Sequence, residues 1–83
     1  MLRLCDIAPG QGACVCGLAT QGTMRRRLLE LGLVDGTMVE CLGRSPWGDP
    51  SAFLIRGAGI ALRKADCAGI LVQPKGQEAA PWD

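Results

Sequence analysis

Gly22-Thr23-Met24-Arg25-Arg26-Arg27-Leu28-Leu29-Glu30-Leu31-Gly32-Leu33 is the most strongly patterned stretch of this chain. Met24, Leu28 and Leu31 stand at i, i+4 and i+7, the spacing of one buried stripe, and predict a short helix over 24–31. Thr23 is placed to cap its start, because a hydroxyl there can accept from the free amides of the first turn. Gly32 is placed to end it, and Leu28 and Leu33 take the two positions whose contact accompanies a Schellman ending. Leu29 falls off the stripe, at the margin of the buried face.

Either side of this helix the chain reads as short strands parted by turn residues. Pro9-Gly10-Gln11-Gly12 is a turn, and 13–18 a first strand with Ala13 and Val15 on one face. After the helix, Asp35-Gly36 turns into a second strand at 37–44, with Val39 and Cys41 facing inward. Ser45-Pro46-Trp47-Gly48-Asp49-Pro50 is a loop, since two prolines remove donors and fix the backbone. Within it Asp49 reads as a turn-former whose carboxylate serves nearby backbone amides. Gly48 and Gly57 read as residues of backbone geometry. Phe53 and Ile55 alternate with Ala52 and Leu54 in a third strand. Gly57-Ala58-Gly59 then turns into a fourth, where Ile60 and Leu62 share a face. A helical or 3-10 turn at 64–68 precedes a closing fifth strand at 69–72.

Five short strands and one helix in 83 residues predict a mainly β chain. The expected form is a small SH3-like barrel over 1–74, closed enough to hide its edges. An OB-like barrel is the second choice. The residues at 75–83 are polar or small and are expected to form a loose tail, in which Trp82 has no evident role.

Composition narrows the function. Hydrophobic residues make up 48%, charged residues 20%, and the formal charge is +1. That balance suits a packed core rather than disorder. It lacks the basic excess of a dedicated nucleic-acid binder, so no nucleic-acid partner is expected. No apolar run approaches the length of a membrane span, so no direct membrane insertion is expected. Histidine is absent, which removes the commonest general base. Asp6, Glu30, Asp35, Glu40 and Asp66 are scattered, and no GxxxxGK[ST] occurs to hold a nucleotide. The expectation is a protein that is not an enzyme and carries no cofactor.

Cys5, Cys14, Cys16, Cys41 and Cys67 form an odd set without CxxC spacing, which suits reduced thiols and a cytoplasmic location. Cysteine is expected to serve here as a small apolar residue, Cys67 filling the closing turn. The alternative is a metal-binding or redox role for Cys14 and Cys16, which share a face if the strand alternates regularly. A closed structural zinc site would require further ligands that the spacing does not offer.

At this point the chain resembles a known family. Arg26-Arg27-Leu28-Leu29-Glu30-Leu31-Gly32-Leu33, Asp35-Gly36, Pro46-Trp47-Gly48-Asp49-Pro50, Arg56-Gly57 and Ala61-Leu62-Arg63-Lys64 occur in the order of the FeoA (ferrous iron transport protein A) pattern. The matches run over residues 4 to 74. The resemblance implies an SH3-like fold and a bacterial cytoplasmic accessory of ferrous iron uptake. The implied partner is the cytosolic part of the FeoB permease, which carries a GTP-binding domain. Gly12, Cys14, Met38, Leu54 and Leu71 stand where the family commonly has polar residues, and Trp47 where it often has leucine. Outward Met38, Leu54 and Leu71 would make a homo-oligomer possible.

The candidate partner-binding residues are Arg25, Arg26, Leu29 and Trp47. If Thr23 caps the helix, Arg25, Arg26 and Arg27 all fall in its first turn, where the helix dipole disfavours cations by roughly 0.3–1 kcal/mol each. Arg26 can meet Glu30 at i+4 only in the weaker order of charges. A local rule broken with little compensation points to an acidic partner. The plainer alternatives are a solvated helix face, and a Trp47 ring folded over the open end of the barrel.

Overall fold

The computed structural model describes residues 2–74, and the expected tail at 75–83 with Trp82 lies outside the described residues. The elements are β1 (Leu2–Arg3), a 3-10 turn (Leu4–Asp6), β2 (Gly12–Leu18), α1 (Gly22–Glu30), β3 (Met38–Arg44), β4 (Ser51–Ile55), β5 (Ala58–Leu62), α2 (Lys64–Cys67) and β6 (Ile70–Pro74). The strands make one antiparallel sheet in the order β1-β6-β2-β3-β4-β5.

This corrects the expected barrel in two respects. There are six strands among the described residues rather than five, the added one being Leu2–Arg3, paired with Val72 and Leu71 of β6. Two residues carry no alternation for a sequence to display. Nor is the sheet closed: no ladder joins β5 to β1, so both are edges.

Alternation builds the core as the strands dictate. Ala13, Val15, Val39, Cys41, Phe53, Ile55, Leu62, Ile70 and Val72 are buried from the strands, and Leu28 and Leu33 from α1 and its exit. Leu4 and Ile7, around the 3-10 turn, are buried as completely. Met24 and Leu31 pack half-buried against this cluster, so the helical stripe faces the sheet. Two strands bulge, β2 between Val15 and Gly17 and β3 between Cys41 and Gly43. Each bulge leaves one residue, Cys16 or Leu42, outside the regular alternation.

The end of α1 has the geometry its sequence suggests. Gly32 takes φ +97°, its amide donates to the Leu29 carbonyl at 3.0 Å, and the Leu33 amide donates to Leu28 at 3.1 Å. Those two bonds satisfy carbonyls that a helix end leaves open. The start differs from expectation. The helix is flanked by Gln21, no side chain caps it, and Thr23 lies inside it. Gly22, at φ +70°, makes the bend that leads in, so helical bonding begins ahead of Thr23.

One turn shifts and another stands where it was read. The β4–β5 hairpin turns at Arg56-Gly57, with φ 51° and 83°, and Ile55 pairs directly with Ala58. Positive φ at both central residues is the twist-compatible two-residue turn, so Ala58 and Gly59 belong to β5 rather than to the turn. Asp35-Gly36 closes on the Thr37 amide, which donates to Val34 at 3.0 Å, while the Gly36 amide donates to Val15 of β2 at 2.8 Å.

Candidate functional site

The solvent face of α1 presents Arg25, Arg26 and Leu29, which with Gly22 and Glu30 line a shallow concavity of about 440 Å³. Because the helix starts at Gly22, the arginines stand in its middle and last turns, and Arg27 is favourably placed near the C-terminus. The expected clash of three cations with the first turn is thereby corrected. Their partners differ. Arg25 donates to the Leu18 carbonyl at 3.3 Å, and Arg27 approaches Asp66 of α2 at 4.0 Å. Arg26 has no ion pair among the described residues. Leu29, 39% exposed, sits beside it as an apolar spot within a cationic surface.

The loop 45–50 behaves differently from its sequence reading. Asp49 was expected to serve its own turn, yet its Oδ1 accepts from the Lys64 amide at 2.8 Å. Lys64 is the first residue of α2, so the carboxylate satisfies an amide that the helix start leaves without a partner. The turn itself is closed by the Gly48 amide donating to Ser45 at 2.8 Å, with Gly48 at φ +84° and a cis Asp49–Pro50 bond. Trp47 does not fold over the core: it is 89% exposed. It is among the residues that line a cavity of about 320 Å³, together with Leu4, Ile7, Phe53, Arg44 and Lys64. Arg44 is held there by donating to the Ile7 carbonyl at 2.7 Å.

Trp47 and the α1 patch therefore line separate concavities. What joins them is α2, tied to the loop through Asp49 and to α1 through Arg27 and Asp66. Asp66, itself buried, also accepts from the Arg63 amide at 3.2 Å.

The outward residues are gathered only in part. Met38 and Leu54 line one concavity, whereas half-buried Leu71 lies in β6, across β2. Leu42, 49% exposed, lies near Gly59, the partner of Leu54 in the ladder. Cys14 and Cys16 are half-buried, and the bulge at Cys16 breaks the even spacing that would have placed both on one face. Among the described residues no group of three or more Cys, Asp or Glu is arranged to hold a metal ion. Cys67 is buried, and burial, followed by the neighbouring Cys5, Asp66 and Asp49, pushes its thiol up to about 12.

A six-stranded antiparallel sheet with one helix between its first two long strands, offering surfaces rather than a cleft, is the architecture of a small SH3-like domain. The chain belongs to the FeoA domain family, whose model matches residues 2–74. It is 31% identical over 72 residues to an Fe(2+) transport protein A/Fe(2+) transporter FeoB fusion protein of Porphyromonas gingivalis, covering 87% of this chain and 8% of that protein. Iron(II) transport protein A from Clostridium thermocellum superposes with a TM-score of 0.86 at 31% identity, over 90% of this chain and 46% of that one. A zinc-complexed FeoA from Stenotrophomonas maltophilia, a prokaryotic SH3 domain protein, gives 0.79 at 25% identity, over 88% and 91%. The chain thus spans less than a tenth of the fusion protein and under half of the Clostridium thermocellum protein, both named as iron(II) transport proteins.

Proposed function

We propose that the chain is a non-enzymatic accessory of bacterial ferrous iron uptake, acting on the cytosolic part of a FeoB-type permease. One observation carries this reading: a relative joins the same domain to FeoB in a single polypeptide. Fusion fixes the local concentration of one module around the other, which is useful where separate chains would have to associate.

The surface that best suits docking is α1. Arg26 has no ion pair among the described residues, and Arg25 and Leu29 stand beside it, a mixed cationic and apolar composition common at protein interfaces. Trp47 supplies a second anchor, since exposed tryptophans contribute heavily once buried by a partner. Docking shifts the permease between states only if the two states bind with different affinity.

The test is calorimetric binding of the full chain to the permease's cytosolic domain in both nucleotide states. Replacing Arg25 and Arg26 by Glu should weaken binding by about tenfold or more, and wild-type affinity should fall as salt rises. Unchanged affinity across ionic strength, or in the double variant, rejects docking through α1.

A further inference from the structure

β5 is an edge strand, and its sequence, Ala58-Gly59-Ile60-Ala61-Leu62, holds no charge, no proline and no bulge. Those are the devices by which edges usually resist pairing. Its hydrogen-bonding pattern follows from the two-residue turn. Ile55 and Ala58 flank that turn and exchange bonds, so Ile60 and Leu62 also bond toward β4. The amides and carbonyls of Gly59 and Ala61 consequently point away from the sheet. Among the described residues no main-chain bond outside the ladder reaches either of them, and both residues are exposed.

Charge decides what would pair there. Arg56, at the tip of the turn, precedes the strand, and Arg63 and Lys64 follow it; all three are exposed and none has an ion pair among the described residues, while the Arg56 Nε donates to the Gly32 carbonyl at 3.4 Å. The neutral edge is thus bracketed by cations at both ends. A second copy pairing antiparallel about Ile60 would bring the turn carrying Arg56 of each copy toward Arg63 and Lys64 of the other, cation against cation at both ends of the seam. An acidic partner meets the same brackets favourably.

We infer that the free edge of β5 is a strand-addition site for an extended peptide segment with an apolar centre and acidic residues at both ends. The segment exchanges main-chain bonds with Gly59 and Ala61 and lays its central side chain against half-buried Ile60. On the outer face, Leu42 leans over Gly59, its Cδ1 lying 3.8 Å from where a Cβ would be, and gains cover from the added strand. This surface is distinct from the α1 patch and does not depend on the permease being the partner.

The probe is an eleven-residue synthetic peptide with alternating valine and serine at its centre and Glu-Asp at each end. Its control carries lysines at both ends. With the full chain, saturating acidic peptide should slow amide exchange at Gly59 and Ala61 by about tenfold or more, while the lysine control leaves both unchanged. Ala61→Pro removes an amide that β4 does not use, so it should leave Tm near wild type and weaken the acidic peptide by about tenfold or more. Unaltered exchange at both amides, equal binding of the two peptides, or full affinity in Ala61→Pro each overturns the assignment. Protection of Gly59 and Ala61 in the chain alone, growing with its concentration, overturns it in favour of a second copy. If Ala61→Pro lowers Tm, the wild-type exchange measurement decides alone.

Discussion

Cys67 shows how a single side chain ties packing to solution behaviour. Its thiol is buried and pushed up to about 12, so it stays neutral throughout the physiological range. An unfolded chain releases that proton near pH 9, whereas the folded chain keeps it toward pH 12. Over this interval the folded state binds more protons, and stability must fall as pH rises. Urea midpoints at pH 8, 9 and 10 should therefore decline for the wild type and decline less for Cys67→Ala; identical slopes would exclude the buried thiol as the cause. The inert, space-filling part of this behaviour was legible in the sequence, because an odd set of thiols without CxxC spacing reads as small apolar residues. The neighbours were not, since Cys5 and Asp49 reach it only through the fold.

Among the elements, α2 is the one whose sequence said least about its importance. Four residues cannot hold a helix without outside partners, and here the partner of the first amide is Asp49, fifteen positions back along the chain. Asp49→Ala should cost about 1 kcal/mol and speed exchange at the Lys64 amide, while Asp49→Asn, which keeps an acceptor, should restore most of both. No change at Lys64 would mean that the tie is not formed in solution. The sequence revealed that Asp49 serves a backbone amide but not which one, because only local partners can be read from neighbouring letters. α1 was legible almost to its last residue, since its buried stripe and Gly32 are local signals. Its beginning was not, because Gly22 competed with Thr23. The β4–β5 turn was read late for a similar reason: Arg56, a non-glycine at φ 51°, gives no warning that it adopts a left-handed conformation.

At the scale of the whole molecule the described residues share one core, and every element except β1 feeds it. Leu28 is fully buried and joins α1 both to the sheet and to Leu33. Leu28→Ala should remove about 2–5 kcal/mol, a large share of the ~5–15 kcal/mol typical of native domains. A drop in the urea midpoint too small to correspond to 1 kcal/mol would show that α1 contributes little to the fold. Strand number and order follow from which residues meet across the sheet, so β1 and the open edge at β5 escaped the sequence, whereas ordered motifs spread along the chain made the SH3-like class legible. The candidate patches divide in the same way. The cationic helix face could be read from spacing, but its separation from Trp47 depends on how α2 sits between them.

The pairing of Leu2 with Val72 sets the first and last strands side by side and pointing in opposite directions. A polypeptide running into this unit and out again passes both times through one small neighbourhood. A larger host can accordingly carry such a unit as a pendant bead on a single connecting point, without stretching its own frame to span a distance.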